Sequence, residues 1–191
     1  PTRAQLDFQL DHARARDAIY ESWDRESLIR TISQNGLEIL ELKSQASDRS
    51  EYLKRPDLGR RLSEESRNAL DAYRGQVERS GGSSSSGEKA FDVVFVVTDG
   101  LSARAVENHV PGFLDAFLRL GSGLRVGPIC IVEQGRVAVG DPIGELLDAS
   151  LVVVLIGERP GLSSPDSLGL YMTYDPRSGR TDEARNCISN I

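Results

Sequence analysis

The chain has 191 residues, enough for one sizeable core or for a core with a smaller appended layer. Charged residues make up 27% of it, and a net charge of −6 argues against a nucleic-acid binder, which needs a basic stripe to neutralise phosphates. Two cysteines are too few for a disulfide framework, no apolar run reaches the roughly 18 residues that span a bilayer, and the start lacks a secretory pattern, so the expectation is a cytoplasmic protein with no membrane partner.

The first eighty residues read as helical. Thr2 can cap a segment carrying Leu6, Phe8, Leu10 and Ala13 among many charges. Asp24 can cap a second helix with Leu28, Ile29 and Ile32 inward and Gly36 as its stop. LEILELKS (Leu37–Ser44) reads either as a short strand or as an extended arm. Lys54, Arg55, Arg60 and Arg61 form a local basic cluster able to partner a small anionic group, and Ser63 caps a helix bearing Leu70, Tyr73 and Val77. SGGSSSSGEK (Ser80–Lys89) is low-complexity and flexible by composition.

The texture then changes. FDVVFVV (Phe91–Val97) is a continuous β-branched run, as in a strand covered on both faces. TDGLS (Thr98–Ser102) turns it into a helix, and Pro111 marks the junction with a second one. RVGPICIVEQG (Arg125–Gly135) reads as a strand, GRVAVGD as a short one, and DPIGELLDA as a helix with Asp141 at its cap. LVVVLI (Leu151–Ile156) is a third buried strand. The organisation expected is a helical N-terminal region over 1–80, a Ser/Gly-rich segment over 81–89, and an α/β domain over 90–191 with a Rossmann-like parallel sheet. Ligands of such sheets sit beyond the carboxyl ends of the strands, where TDGLS and GERPGL (Gly157–Leu162) both fall.

Standard nucleotide chemistry finds little footing. The turn after the first sheet strand has one glycine rather than the G-x-G-x-x-G that lets backbone approach pyrophosphate, and there is no Walker loop. Asp99 and Ser102 could make an autonomous hydrolase, but neither His12 nor His109 lies in an elbow motif, and capping and turn support explain both residues. ENHVPG (Glu107–Gly112) nearly matches D-x-H-x-x-G, the pattern that puts a histidine under a cobalamin; with glutamate in place of aspartate, His109 reads instead as an exposed loop residue. No metal ligand is expected.

Taken in order, RPDLGRRL (Arg55–Leu62), VVTDGLS (Val96–Ser102), GRV (Gly135–Val137), LIGERPGL (Leu155–Leu162) and NCISNI (Asn186–Ile191) resemble the small subunit of ethanolamine ammonia-lyase, over most of the chain after Gly36. The resemblance implies an adenosylcobalamin enzyme converting ethanolamine to acetaldehyde and ammonia. In that family a large (β/α)₈ subunit carries the radical chemistry, so no catalytic residue is expected on this chain. The cofactor lies between the subunits with its own dimethylbenzimidazole as lower ligand.

Three family contacts to the cofactor map onto Val137, Glu158 and Cys187, with Arg136 and Arg159 as candidates for the cofactor phosphate or for subunit contacts. The partner implied is the large subunit in a hetero-oligomer. Family members usually continue past ISNI with a glycine-rich stretch and a final helix. Some carry an N-terminal segment that directs the enzyme into a bacterial microcompartment, of which the start at Pro1 has no clear version. A rival reading is a non-catalytic Rossmann-like binding or scaffold module without cobalamin contact.

Overall fold

The computed structural model describes residues 2–34, 36–80, 89–121, 123–159 and 166–191. Most of the serine-rich segment and the Pro-Gly-Leu part of GERPGL lie outside the described residues.

Local chemistry starts the helices where the sequence places them. Helix α1 (Arg3–Ala18) opens on a reciprocal box in which Thr2 accepts from the Gln5 amide and the Gln5 side chain accepts from the Thr2 amide. Asp24 caps α2 (Arg25–Ser33) by accepting from the Ser27 amide, and Gly36 follows at φ +74°. LEILELKS resolves into β1 (Ile39–Lys43). Two short helices with no forecast, α3 (Arg49–Lys54) and α4 (Pro56–Gly59), then lead to α5 (Glu64–Arg79), capped by Ser63.

The remaining chain runs β2 (Phe91–Thr98), α6 (Ala103–Leu120), β3 (Val126–Glu133), a 3-10 turn (Val137–Val139), α7 (Gly140–Leu146), β4 (Ala149–Gly157), β5 (Leu168–Tyr174), a second 3-10 turn (Asp182–Ala184) and β6 (Arg185–Ile188). The strands form one six-stranded sheet in the order β1-β3-β2-β4-β5-β6. The first four are parallel, whereas β5 is antiparallel to β4 and β6 to β5. The fold is therefore mixed α/β, and the sheet is mixed where the sequence reading has it parallel. The physical reason is chain length: the link 158–167 is shorter than the dozen or more residues a parallel crossover needs, so β5 must double back.

Alternation along the strands supplies two cores. Val93, Phe95 and Val97 point to one face and pack against Leu28 and Ile32 of α2 and Val106, Val110 and Leu114 of α6. Val94, Val96, Val152 and Val154 point to the other and meet Leu70 of α5 and Ile143 of α7. β1 joins this sheet beside β3, so the N-terminal eighty residues contribute a strand as well as helices.

Three expectations change here. Helix α6 runs through Pro111 rather than breaking at it. The ring removes one backbone bond, but Val106, Val110 and Leu114 form one fully buried stripe on both sides of the proline, and that burial outweighs the loss. GRVAVGD is a 3-10 turn entering α7 and not a strand. Gly140 lets it press on β4, where an added Cβ would lie 2.6 Å from Val154 Cγ2. Asp141 sits inside that helix instead of capping it.

Candidate functional site

The turns after β2 and β4 are pressed together at the carboxyl edge of the sheet. Gly100 adopts φ +56°, and a Cβ there would sit 2.3 Å from the Gly157 carbonyl oxygen; a Cβ on Gly157 would sit 2.0 Å from the Ser102 carbonyl oxygen. The Leu101 amide donates to the Gly157 carbonyl at 2.8 Å, which fixes the exit of Glu158 from the strand. Only glycine permits this approach.

Behind the turns, Asp99 is buried. Its Oδ1 accepts from the Gln134 amide at 3.1 Å, and its Oδ2 pairs with Arg49 at 2.9 Å. Burial pushes its carboxyl up to about 6, against the opposing pull of Arg49. Ser102 caps α6 by accepting from the Ala105 amide at 3.3 Å. Both members of the hydrolase pair are thus engaged in structure. His109 lies within α6, half-buried, with Nε2 3.6 Å from Asp166, rather than in a loop.

One wall of the site comes from the segment after β3. Thr98 and Gly135 bond reciprocally through the Thr98 hydroxyl, which accepts from the Gly135 amide at 3.0 Å and lies 3.2 Å from its carbonyl oxygen. The Arg136 amide donates to the Gly59 carbonyl at 2.8 Å. Val137 follows and opens the 3-10 turn. Beside it, the Arg136 guanidinium stacks over the buried Tyr52 ring at 4.4 Å and donates to the Tyr52 carbonyl at 3.1 Å.

The opposite wall is Glu158 and the strand that carries Cys187. Glu158 lies flat over Gly169, where an added Cβ would be 2.5 Å from Oε1. Its Oε2 accepts from the Ser167 hydroxyl at 3.1 Å and its Oε1 from the Ser189 hydroxyl at 3.0 Å. Cys187 pairs with Tyr171 across β5 and β6, with Sγ 3.4 Å from Ser189 Oγ. Burial, then hydrogen bonding with Cys187, pushes the Tyr171 phenol up to about 12. The start of β6 is anchored by a buried ion pair, Arg185 to Asp141 at 2.5 Å; burial raises Asp141 to about 6 despite that partner.

Between the walls lies an open cleft of about 560 Å³. Val137, Glu158 and Cys187 all line it, and so do Arg136 and Arg159. The structure thus brings every sequence-nominated site residue to one place. Sequence reading missed Tyr52, Tyr171 and Arg185 as lining residues. Arg60 was visible as part of a basic cluster, while the other three carry no local signal because long-range pairing alone brings them to the cleft. Among the described residues no group of three or more His, Cys, Asp or Glu could hold a metal ion.

A family model described as ethanolamine ammonia-lyase light chain (EutC) matches residues 1–191. The chain belongs to the ethanolamine ammonia-lyase light-chain family. Proteins named ethanolamine ammonia-lyase small subunit support the assignment. Those of Xanthomonas campestris pv. campestris (strain B100) and Pseudomonas putida (strain KT2440) are 52% identical, and that of Pseudomonas fluorescens (strain Pf-5) is 51% identical. Each alignment takes in 100% of this chain and 67% of the relative, so the chain spans about two thirds of their length. Family membership makes the chain a subunit of an ammonia-lyase, and the cleft is the feature of its fold that this membership must explain. Among the described residues no helix is long and apolar enough to cross a membrane.

Proposed function

We propose that the cleft is this chain's half of an adenosylcobalamin site, closed by the ethanolamine ammonia-lyase large subunit, in an enzyme that converts ethanolamine to acetaldehyde and ammonia. The observation that carries the reading is convergence. Val137, Glu158 and Cys187 come from three separate segments, yet all line one cleft at the carboxyl edge of the sheet.

The chemistry of the lining suits a large amide-bearing ligand. Val137 offers a small apolar face, Cys187 a compact and weakly polar one, and the Glu158 carboxylate, held by the Ser167 and Ser189 hydroxyls, offers acceptor lone pairs for amide arms. A cleft of about 560 Å³ that is open on one side holds only part of so large a molecule, which fits a second polypeptide covering the rest. When bound, adenosylcobalamin supplies the radical that begins the carbon–nitrogen cleavage; this chain supplies position and electrostatics. Glu158 fixes the 187–190 segment through Ser189, so it orients Cys187 as well as facing the ligand.

A second reading, a scaffold module without cobalamin contact, draws on one observation: the Glu158 carboxylate is already served by two hydroxyls within the chain. The two readings separate in one experiment. The full chain is assembled with the large subunit, and cobalamin absorbance is followed through gel filtration with the affinity measured by titration. The expected outcome is co-elution of cobalamin with the complex and an affinity at least about tenfold lower for Glu158→Ala. Unchanged affinity in that variant would favour the scaffold reading and defeat the cofactor role.

A further inference from the structure

Among the described residues four arginines and two carboxylates line the cleft. Arg136 is held there by its stack on Tyr52 and its bond to the Tyr52 carbonyl, and its buried Nε has no hydrogen-bond partner among the described residues. Among the described residues no carboxylate pairs with it. Arg60 follows α4, lines the same cleft, is exposed, and likewise has no carboxylate partner among the described residues. The backbone before Arg60 lies against Arg136: a Cβ on Gly59, one position earlier, would be 3.0 Å from Arg136 Cγ. Other arginines of the fold are neutralised by carboxylates, as in Arg49 with Asp99, Arg125 with Asp92, and Arg185 with Asp141. A chain of net charge −6 that leaves two guanidinium groups lining one cleft without a carboxylate partner among the described residues has positive charge there for an anion to meet.

We infer that Arg136 and Arg60 form an anion subsite that takes the phosphodiester of a nucleotide-tailed corrinoid, an inference that rests on the cofactor reading above. Adenosylcobalamin carries neutral amide arms and a single phosphate, so only one of its peripheral groups calls for arginine. A planar guanidinium presents paired N–H donors that match phosphate oxygens, and the Tyr52 stack fixes Arg136 before the ligand arrives, which lowers the ordering cost of binding. Arg136 and Arg60 face the phosphate, while the Glu158 carboxylate serves amides at the other wall. Arg159, which follows Glu158 in the chain, is not part of the subsite.

The test uses the full chain in complex with the large subunit and two probes, cyanocobalamin and dicyanocobinamide, the second of which lacks the nucleotide loop and its phosphate. Binding of each is titrated for the wild type, Arg136→Gln, Arg136→Lys and Arg60→Gln, with circular dichroism as a check on folding. The expected result for Arg136→Gln is a cyanocobalamin affinity at least about tenfold weaker and a cobinamide affinity changed less than about twofold. Arg60→Gln, at an exposed position where folding is not at stake, shows the same selectivity at about threefold, and Arg136→Lys recovers part of the loss.

Equal losses for both probes, or no loss for either, would overturn the subsite while leaving the cofactor reading standing. The subsite also falls if millimolar inorganic phosphate shields Arg136 from modification by phenylglyoxal yet competes with neither probe, which would assign the pair to a free anion. Failure of the wild-type complex to hold cyanocobalamin at all would instead remove the cofactor reading, and this inference with it.

Discussion

Asp99 illustrates how one side chain can be mistaken for a reagent. Its buried carboxylate, raised to about 6, has the signature of a catalytic acid, yet each oxygen is committed to the architecture behind the cleft, one to the Gln134 amide and one to Arg49. Arg49 in turn donates to the Ile19 and Gly100 carbonyls, so the pair ties the α1 end to the β2 turn. The linkage sign follows from the upward shift. A folded-state value above the unfolded one contributes stability that is fully present below about pH 4 and is lost as pH rises through about 6. Asp99→Asn removes that dependence. In urea unfolding from pH 4 to 7, the wild type should lose up to about 3 kcal/mol relative to the variant, at about 1.36 kcal/mol per unit. A pH-independent gap between the two proteins would show that Asp99 ionises normally.

Between elements, glycine decides how closely turns and helices approach. Gly157→Ala drives a methyl group into the Ser102 and Asp99 carbonyl oxygens, at 2.0 and 2.6 Å, and neither can retreat without separating the β2 and β4 turns. The expected cost is at least about 2–3 kcal/mol in unfolding free energy, with loss of the cleft's shape. Gly112 is the control. It sits inside α6 with nothing within 4 Å of an added Cβ, so Gly112→Ala should stabilise by about 0.5–1 kcal/mol. A melting temperature that falls in both variants, or in neither, would contradict this account of the two glycines.

Legibility at this scale follows locality. Caps at Thr2, Asp24, Ser63 and Ser102 depend on a side chain and an amide three residues away, and all four are readable in the sequence. The helix through Pro111 and the antiparallel return of β5 depend on what the segment packs against and on how much chain remains to connect it. Periodicity alone records neither. Val137, Glu158 and Cys187 are reached through motif resemblance, whereas Tyr52 and Tyr171 enter the cleft through the tertiary fold and leave no sequence pattern to follow.

For the whole molecule, the sheet is shared property. Both cores rest on alternate residues of the same central strands, and β1 brings the N-terminal part of the chain into that sheet. Trp23 packs against one core, while the far-ultraviolet signal reports on all helices and strands. Urea transitions followed by Trp23 fluorescence and by circular dichroism should therefore coincide, as expected of a single cooperative unit. A separate, earlier fluorescence transition would mean that the α2 layer melts off a sheet that persists.

Side chains of β6 alternate across the sheet. Cys187 looks into the polar cleft, while the adjacent Ile188 lines an apolar hollow on the reverse side of the sheet, with Phe117 and Met172. A slip of one position along this strand would exchange them, setting a greasy side chain among the arginines and a thiol among the phenylalanines. The Arg185–Asp141 clasp at one end and the Ser189–Glu158 bond at the other pin the strand against that error. With both ends held, a single-residue deletion in the 175–184 approach is expected to be taken up within that approach, leaving Cys187 facing the cleft.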